Sequence, residues 1–454
     1  MSVSSNPVLS SIDLGVALSS NLVTVYFGAD GEKFDFFTNQ GDWSDYAKAQ
    51  AMAALDAYAA VANLTFAEVD APEGATFRLT KSESSYGSLG FMNPPDPAYG
   101  DTQGIAWFNS LPYWGDAGSG LLDAGSYMYT IFLHEFGHGL GLAHPFEEHG
   151  ASTVMPEIGD GLGLDQGVYT VMTYNDGWPE APEGLPAARD WGWNLGPSAL
   201  DIAVIQDKYG VNTETGKGAT TYVLPSENSS GTGYLAIWDV GGQDTIRHNG
   251  KGDATLDLRA ATLLAEAGGG GWVSHVAGIH GGFTIANGVV IERAIGGKGD
   301  DTITGNAADN LLNGRAGNDR LTGSSGDDTL LGGAGADWLI GGTGADTLTG
   351  GGGADRLIGG KGQDVLAGSK GRDVLTGGAG ADTFIITPGD GRDRITDFEE
   401  KDLLDLSAFG FDNFEAVQAT MTASDTALHL DLGAAYLVLS GLSPEMLGAD
   451  MVLI

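Results

Sequence analysis

Apolar positions follow different rhythms in the two parts of this chain. Between residues 126 and 144, Tyr129, Leu133, Phe136 and Leu140 recur at three- and four-residue spacing, which places them on one stripe of a helix. The Ala-rich stretch 43–62 reads as a further helix, and so does 197–209, with Pro197 near its first turn and Gly210 at its end. Leu22–Phe27 and 64–69 read as strands, and 75–110 holds short strand-like pieces, 87–91 and 105–108 among them, separated by Gly and Pro. Mixed helices and strands predict an α+β domain over residues 1–212, with the boundary near 211–216. Residues 217–295 read as β-strands, and from 296 the apolar positions recur every nine residues. An all-β domain is therefore predicted over 213–454.

The nine-residue period is strict from 296 to 385. Units such as GGAGADWLI and GGTGADTLT begin with Gly and carry one apolar residue at the eighth position, from Ile303 to Phe384. The sixth position is Asp301, Asn310, Asp319, Asp328, Asp337, Asp346, Asp355, Asp364, Asp373 and Asp382 in turn. Gly at the first and fourth positions permits turns that a Cβ would block. Carboxylates and backbone carbonyls offer the hard oxygen ligands that suit calcium, and the pattern is the nonapeptide calcium repeat of parallel β-rolls. One apolar side chain per unit buries too little surface to offset the ordering of so much glycine, so calcium is expected to supply much of the folding free energy. The second unit carries Ala308 and Asn310, which weakens its claim to a calcium ion. A flexible Gly-rich linker would not keep Asp and Leu in phase over this length. The stretch 239–246 reads as a degenerate repeat, and Asp393, Asp397, Asp402 and Asp405 as exposed loop acids in a cap.

The helical stripe at Tyr129–Leu140 runs beside a different chemistry. The sequence His134-Glu135-Phe136-Gly137-His138 puts two imidazoles four residues apart on one helix face, where both can hold one ion. Gly141 allows a sharp turn that returns His144 as a third ligand. Three protein ligands leave one position open for water, the arrangement of a catalytic zinc, and Glu135 follows the first ligand where it can take a proton from that water. The bland alternative is a buried helix with hydrogen-bonded histidines, yet three of only eight histidines in the chain sit here. Gly137 and Gly139 inside a helix each cost about 1 kcal/mol relative to Ala, which implies an element packed close to this backbone.

The extended histidine motif is the metzincin signature. With Met172 and Tyr174 downstream in Tyr169-Thr170-Val171-Met172-Thr173-Tyr174, and with the calcium repeats, the chain resembles the serralysins, secreted bacterial zinc proteases. The resemblance is strongest over 126–210 and 285–406. It implies a secreted endopeptidase acting on proteins and peptides, with one catalytic Zn2+ on His134, His138 and His144 and several structural Ca2+. It implies a Met-turn at Met172, and a Tyr174 that ligates the resting zinc and then stabilises the transition state. It further implies that substrate adds as a strand near residues 87–91, that a short prosegment precedes the catalytic domain, and that a proteinaceous inhibitor is among the partners. Export would use a type I exporter that reads a C-terminal signal, and 450–454, an acid followed by apolar residues, resembles that tail. The segment Phe146-Glu147-Glu148-His149 departs from the family's Gly-containing loop, and His149 reads as a surface residue.

Composition narrows the remaining choices. Sixty acidic against twenty-one basic residues give a net charge of −39, which argues against nucleic acid and anionic membranes as partners. The absence of cysteine excludes disulfides and thiolate zinc ligands. No N-terminal secretory signal and no membrane-spanning run is read, so no stable membrane insertion is expected, and the resemblance implies an extracellular protein, expected as a monomer. Two rivals stand beside the endopeptidase: a non-enzymatic calcium-binding adhesion protein with an inert zincin domain, and a zinc amidase acting on cell-wall substrates.

Overall fold

The computed structural model describes residues 3–85, 87–111, 114–158 and 161–454. As expected, it contains an α+β unit and a parallel β-roll unit. The first is formed by residues 1–218 with 227–242 and 260–289, the second by 219–226, 243–259 and 290–454. Residues 227–242 and 260–289, read from sequence as part of the C-terminal half, thus pack within the first unit. Their strands Gly233–Ile237 and Gly282–Ile285 pair in parallel, with Trp193–Asn194 on the other side of the former.

In the first unit β1 (Leu22–Phe27), β2 (Thr65–Glu68), β3 (Phe77–Ser82), β4 (Gly90–Met92) and β5 (Ile105–Asn109) form a sheet of order β2-β1-β3-β5-β4. All neighbours are parallel except β4, which runs antiparallel to β5 and lies at an edge. Among the described residues, three helices of more than two turns accompany the sheet: α1 (Asp45–Val61), α2 (Tyr127–Gly139) and α3 (Ala199–Tyr209). Each begins where a serine can stop the chain. The hydroxyl of Ser44 accepts from Ala47 N, that of Ser126 accepts from Tyr129 N, and the backbone N of Ser198 donates to Asp201 Oδ2 at 2.8 Å. Helix α1 buries Ala47, Ala51, Ala54, Leu55, Tyr58 and Val61, a small-residue face that lets it approach closely.

Helix α2 is buried along most of its length, and its two inner glycines have the close neighbours that their cost implied. A Cβ at Gly137 would sit 2.5 Å from Met172 Sδ and 3.1 Å from Tyr58 Oη. One at Gly139 would run into the Met92 side chain and lie 3.0 Å from Phe77 Cζ. The helix is therefore wedged between the sheet, α1 and the turn at Met172.

In the second unit each turn of the roll takes two nonapeptides, so strands pair with those eighteen residues on. Leu312, Leu330, Leu348, Leu366 and Phe384 stack in one column, and Ile303, Leu321, Leu339, Leu357 and Leu375 in another. All ten are fully buried. Glycines at the fourth position, such as Gly335 and Gly344 at φ 133°, adopt the left-handed backbone expected of them. Among the described residues, no helix is long and apolar enough to cross a membrane.

Candidate active site and metal centres

His134 and His138 project from α2 one turn apart. The helix stops at Gly139, and Gly141, at φ 91°, reverses the chain so that His144 comes back to them. The Nε2 atoms of His134 and His138 lie 3.1 and 3.0 Å from Nε2 of His144. A tetrahedral ion with Zn–N bonds of 2.0–2.1 Å separates its nitrogens by about 3.3 Å, so the three imidazoles fit a single zinc. Their other nitrogens have acceptors: Nδ1 of His134 donates to Val171 O at 2.8 Å, His138 Nδ1 to Leu142 O at 3.0 Å, and His144 Nδ1 to Glu147 Oε1 at 2.5 Å. These bonds fix the tautomer and turn every Nε2 lone pair inward. Burial, reinforced by the neighbouring imidazole, pushes His134 down to about 3, and burial also holds His138 and His144 below the usual histidine range. The cluster is neutral and ready for a cation.

The turn that carries His144 is held from outside by the N-terminal segment. Ala143 N donates to Ile12 O at 3.0 Å, Leu14 N to Gly141 O at 3.1 Å, and Ala151 N to Leu14 O at 3.2 Å. Lys208 of α3 pairs with Asp13 and donates to Val16 O at 2.9 Å. Asp201, also on α3, accepts from Thr170 Oγ1 at 2.6 Å and from Val171 N at 2.8 Å, and so fixes the backbone whose carbonyl orients His134.

Glu135 is 6% exposed and packs against the backbone of β4, where a Cβ on Gly90 would lie 2.5 Å from its Oε1. Burial pushes its carboxyl up to about 8. Met172 is fully buried against α2, while Tyr174 stands at the rim, 68% exposed, its ring 4.7 Å from that of His144 and 5.7 Å from that of His134. Phe146 lies against both His144 and Tyr174, at 5.0 and 4.7 Å. Cavities of about 270 and 310 Å³ are both lined by His134, Glu135 and Tyr174. His149 is exposed, as expected, and borders the smaller cavity.

Sequence reasoning missed Glu147, Asp201 and the 12–16 segment. Glu147 left one signal, a carboxylate three residues after His144; the others left none.

In the roll, the sixth-position aspartates form two ladders. The Oδ1 of each accepts from the backbone N of its counterpart one turn earlier, as when Asp319 N donates to Asp337 Oδ1 at 2.8 Å and Asp328 N to Asp346 Oδ1 at 2.9 Å. The Oδ2 atoms of Asp319, Asp328, Asp337, Asp346, Asp355, Asp364, Asp373 and Asp382 are buried and accept no hydrogen bond. Each packs closely on a first-position glycine: a Cβ built on Gly332 would be 2.5 Å from Asp337 Oδ2 and 2.6 Å from Gly350 O, too close to be accommodated. The first-position glycine thus lets a carboxylate approach its backbone closely, rather than supplying a special φ. Buried carboxylate oxygens without a hydrogen-bond donor fit calcium.

Asp301 differs from the later members in its hydrogen bonds: Oδ1 accepts from Ala254 N at 2.8 Å and Oδ2 from Gly297 N at 2.6 Å. Asn310 likewise uses its side-chain oxygen on Asn306 N. Asp393 and Asp402, read as loop acids, are instead buried continuations of the ladders, accepting from Asp373 N and Asp382 N at 3.0 Å.

A three-histidine centre in one unit and a carboxylate-lined roll in the other are the two parts of the class that the sequence resembles, a metzincin site carried with calcium repeats. The family of RTX calcium-binding nonapeptide repeats matches residues 295–330, 331–366 and 358–395. The likeness to serralysins is borne out: the chain is 34% identical to the serralysin of Proteus mirabilis over 308 residues, 63% of this chain and 59% of that protein. It is 35% identical to serralysin B of Dickeya chrysanthemi over 56% of this chain and 52% of the relative. It is 34% identical to the metalloprotease AprA of Pseudomonas entomophila over 58% and 54%. The chain thus spans a little over half the length of the curated relatives it matches.

Proposed function

We propose that this chain is a secreted zinc endopeptidase that hydrolyses peptide bonds in proteins and is stabilised by a calcium-loaded roll. The convergence of three Nε2 atoms at about 3 Å, with a buried glutamate beside them, carries this reading. His134, His138 and His144 would hold the zinc, which supplies Lewis acidity to the scissile carbonyl and to water. Glu135, buried beside the three imidazoles, takes the proton of the attacking water and delivers it to the leaving amide nitrogen. The hydroxyl of Tyr174, at the rim beside His144, donates to the developing oxyanion. In its resting position the same hydroxyl can complete the metal's ligand set. An extended substrate pairs with the outer edge of β4, which brings its backbone past Glu135.

Calcium on Asp319, Asp328, Asp337, Asp346, Asp355, Asp364, Asp373 and Asp382 orders the roll. We assign catalysis to the region before residue 213, and the repeats suggest type I secretion. The test is direct. Purified protein should contain one zinc per chain and cleave a denatured protein at internal bonds, and loss of zinc should abolish cleavage. A zinc-loaded, folded chain that releases no peptides from any protein would reject the proposal.

A further inference from the structure

Because strands of the roll pair with those eighteen residues on, alternate nonapeptides present their outward side chains on the same face. The seventh position shows what this sorts. On one face it runs Thr302, Arg320, Trp338, Arg356, Val374 and then Arg394, each in register with the next. On the other it holds only Leu, Val and Thr from Leu311 to Thr383. The three arginines are exposed, and Trp338 is 39% exposed. The guanidinium of Arg320 lies over the Trp338 ring, 3.9 Å from its centroid, and that of Arg356, on the next turn, lies 5.4 Å from it. Among the described residues, none of the three arginines forms an ion pair. The strands Arg320–Ser325, Trp338–Thr343, Arg356–Lys361 and Val374–Ala379 carry no acid. The exposed residues that lead into them, Asn318, Ala336, Ala354 and Arg372, are neutral or basic, and the sixth-position aspartates between are buried. A chain of net charge −39 thus collects a line of cations on one face of its roll.

We propose that this face binds a linear polysaccharide bearing carboxylates, laid along the axis of the roll. Stacking on Trp338 uses the flat face of the Arg320 guanidinium and leaves its N–H edge free to grip a carboxylate with two hydrogen bonds. Neighbouring strands lie about 4.8 Å apart, so Arg320, Arg356 and Arg394 recur roughly every 9.5 Å along a line. Such a line suits a polymer whose charge repeats, rather than a single small anion. Trp338 and the half-buried Ile340 and Ile358, which pair in register beside it, offer apolar ground for the C–H faces of sugar rings. The acids elsewhere on the molecule do not forbid this, because charges more than about 8 Å away are largely screened at physiological ionic strength. A nucleic acid needs open aromatic faces on which successive bases stack, and the one ring of this column is flanked by guanidinium groups.

The experiment is calorimetric titration of the calcium-loaded full chain, at fixed free calcium, with an oligogalacturonate too short to gel. A neutral maltooligosaccharide and a single-stranded oligonucleotide of similar length serve as comparisons. Wild type is set beside Trp338→Thr and the double variant Arg320→Thr with Arg356→Thr. Threonine already stands at this position in Thr302, Thr329 and Thr347, so the strands accommodate it. Wild type should bind the oligogalacturonate more tightly than the oligonucleotide, and should not bind the maltooligosaccharide. The double variant should bind at least about tenfold more weakly, the worth of one charge-assisted hydrogen bond. Trp338→Thr, which releases Arg320 from its stack, should weaken binding by about two- to fivefold. Circular dichroism in calcium checks that each variant is folded. Wild type that does not bind the oligogalacturonate overturns the proposal even if neither variant folds, and so does unchanged affinity in a folded variant. Equal or tighter binding of the oligonucleotide overturns it in favour of nucleic acid.

Discussion

Glu135 occupies a place where a carboxylate costs stability, buried between α2 and β4 and held well above its ordinary protonation range. It contributes no atom to the three-histidine cluster. Glu135→Ala should therefore retain stoichiometric zinc and a normal circular dichroism spectrum while peptide hydrolysis falls by about 10²–10⁴, the usual worth of a positioned general base. A folded, zinc-loaded variant with near-normal turnover would remove Glu135 from the mechanism. Gly137 makes the complementary point about packing. Alanine is worth about 1 kcal/mol more than glycine in a helix, yet Gly137→Ala drives a methyl into Met172 Sδ and the Tyr58 hydroxyl. Overpacking typically costs 1–3 kcal/mol, so the variant should unfold at a lower denaturant concentration than wild type, by roughly 0–2 kcal/mol net. A more stable variant would show that Met172 can move aside. The helix and its ligand spacing were legible in the sequence, because an i, i+4 relation follows from local backbone geometry. Glu147 and Asp201 were not, since their roles depend on which nitrogen or amide the folded chain turns toward them.

At the scale of elements, helix limits followed capping serines closely: the stretch 43–62 became Asp45–Val61, and 197–209 became Ala199–Tyr209. The nine-residue period located every strand of the repeat. It did not reveal that the coil takes eighteen residues, so that each unit stacks on the next but one. That follows from the two-sided roll, in which consecutive units face each other across the core. Leu348 illustrates the consequence, lying fully buried between Leu330 and Leu366. Leu348→Ala should destabilise the calcium-loaded roll by about 2–5 kcal/mol, because turns above and below pin its neighbours and the cavity cannot collapse. Thermal unfolding monitored by circular dichroism would measure this, and an unchanged midpoint would mean that the core is not the limiting contact.

For the molecule as a whole, the buried ladders make folding depend on calcium and on pH together. Burial raises Asp319 and Asp328 to about 7, and Asp337, Asp355 and Asp364 to about 6, in the calcium-free roll. Unfolded aspartates titrate near 3.9, so the folded, metal-free roll binds more protons than the unfolded chain. Its stability is greatest below about pH 4 and declines as pH rises through about 6 to 7. Calcium needs the ionised form, so its affinity should rise across the same interval. Full-length protein in chelator at pH 8 should lose β-structure, and the calcium concentration that restores it should fall steadily from pH 5.5 to 7.5. A restoring concentration independent of pH, or an unchanged spectrum in chelator, would contradict the coupling.

What the sequence determined by itself was whatever repeats over a few residues: the spacing of His134 and His138, the return of His144 after Gly141, and the phase of Asp and Leu in the nonapeptides. These are local consequences of helix and turn geometry. Only the tertiary structure decided that Ile12 and Leu14 brace the His144 turn, that Asp301 spends both oxygens on backbone amides while eight later aspartates keep one in reserve, and that Asp393 and Asp402 are buried. Those outcomes depend on which distant backbone groups come into hydrogen-bonding reach, and no short-range pattern in the chain records that.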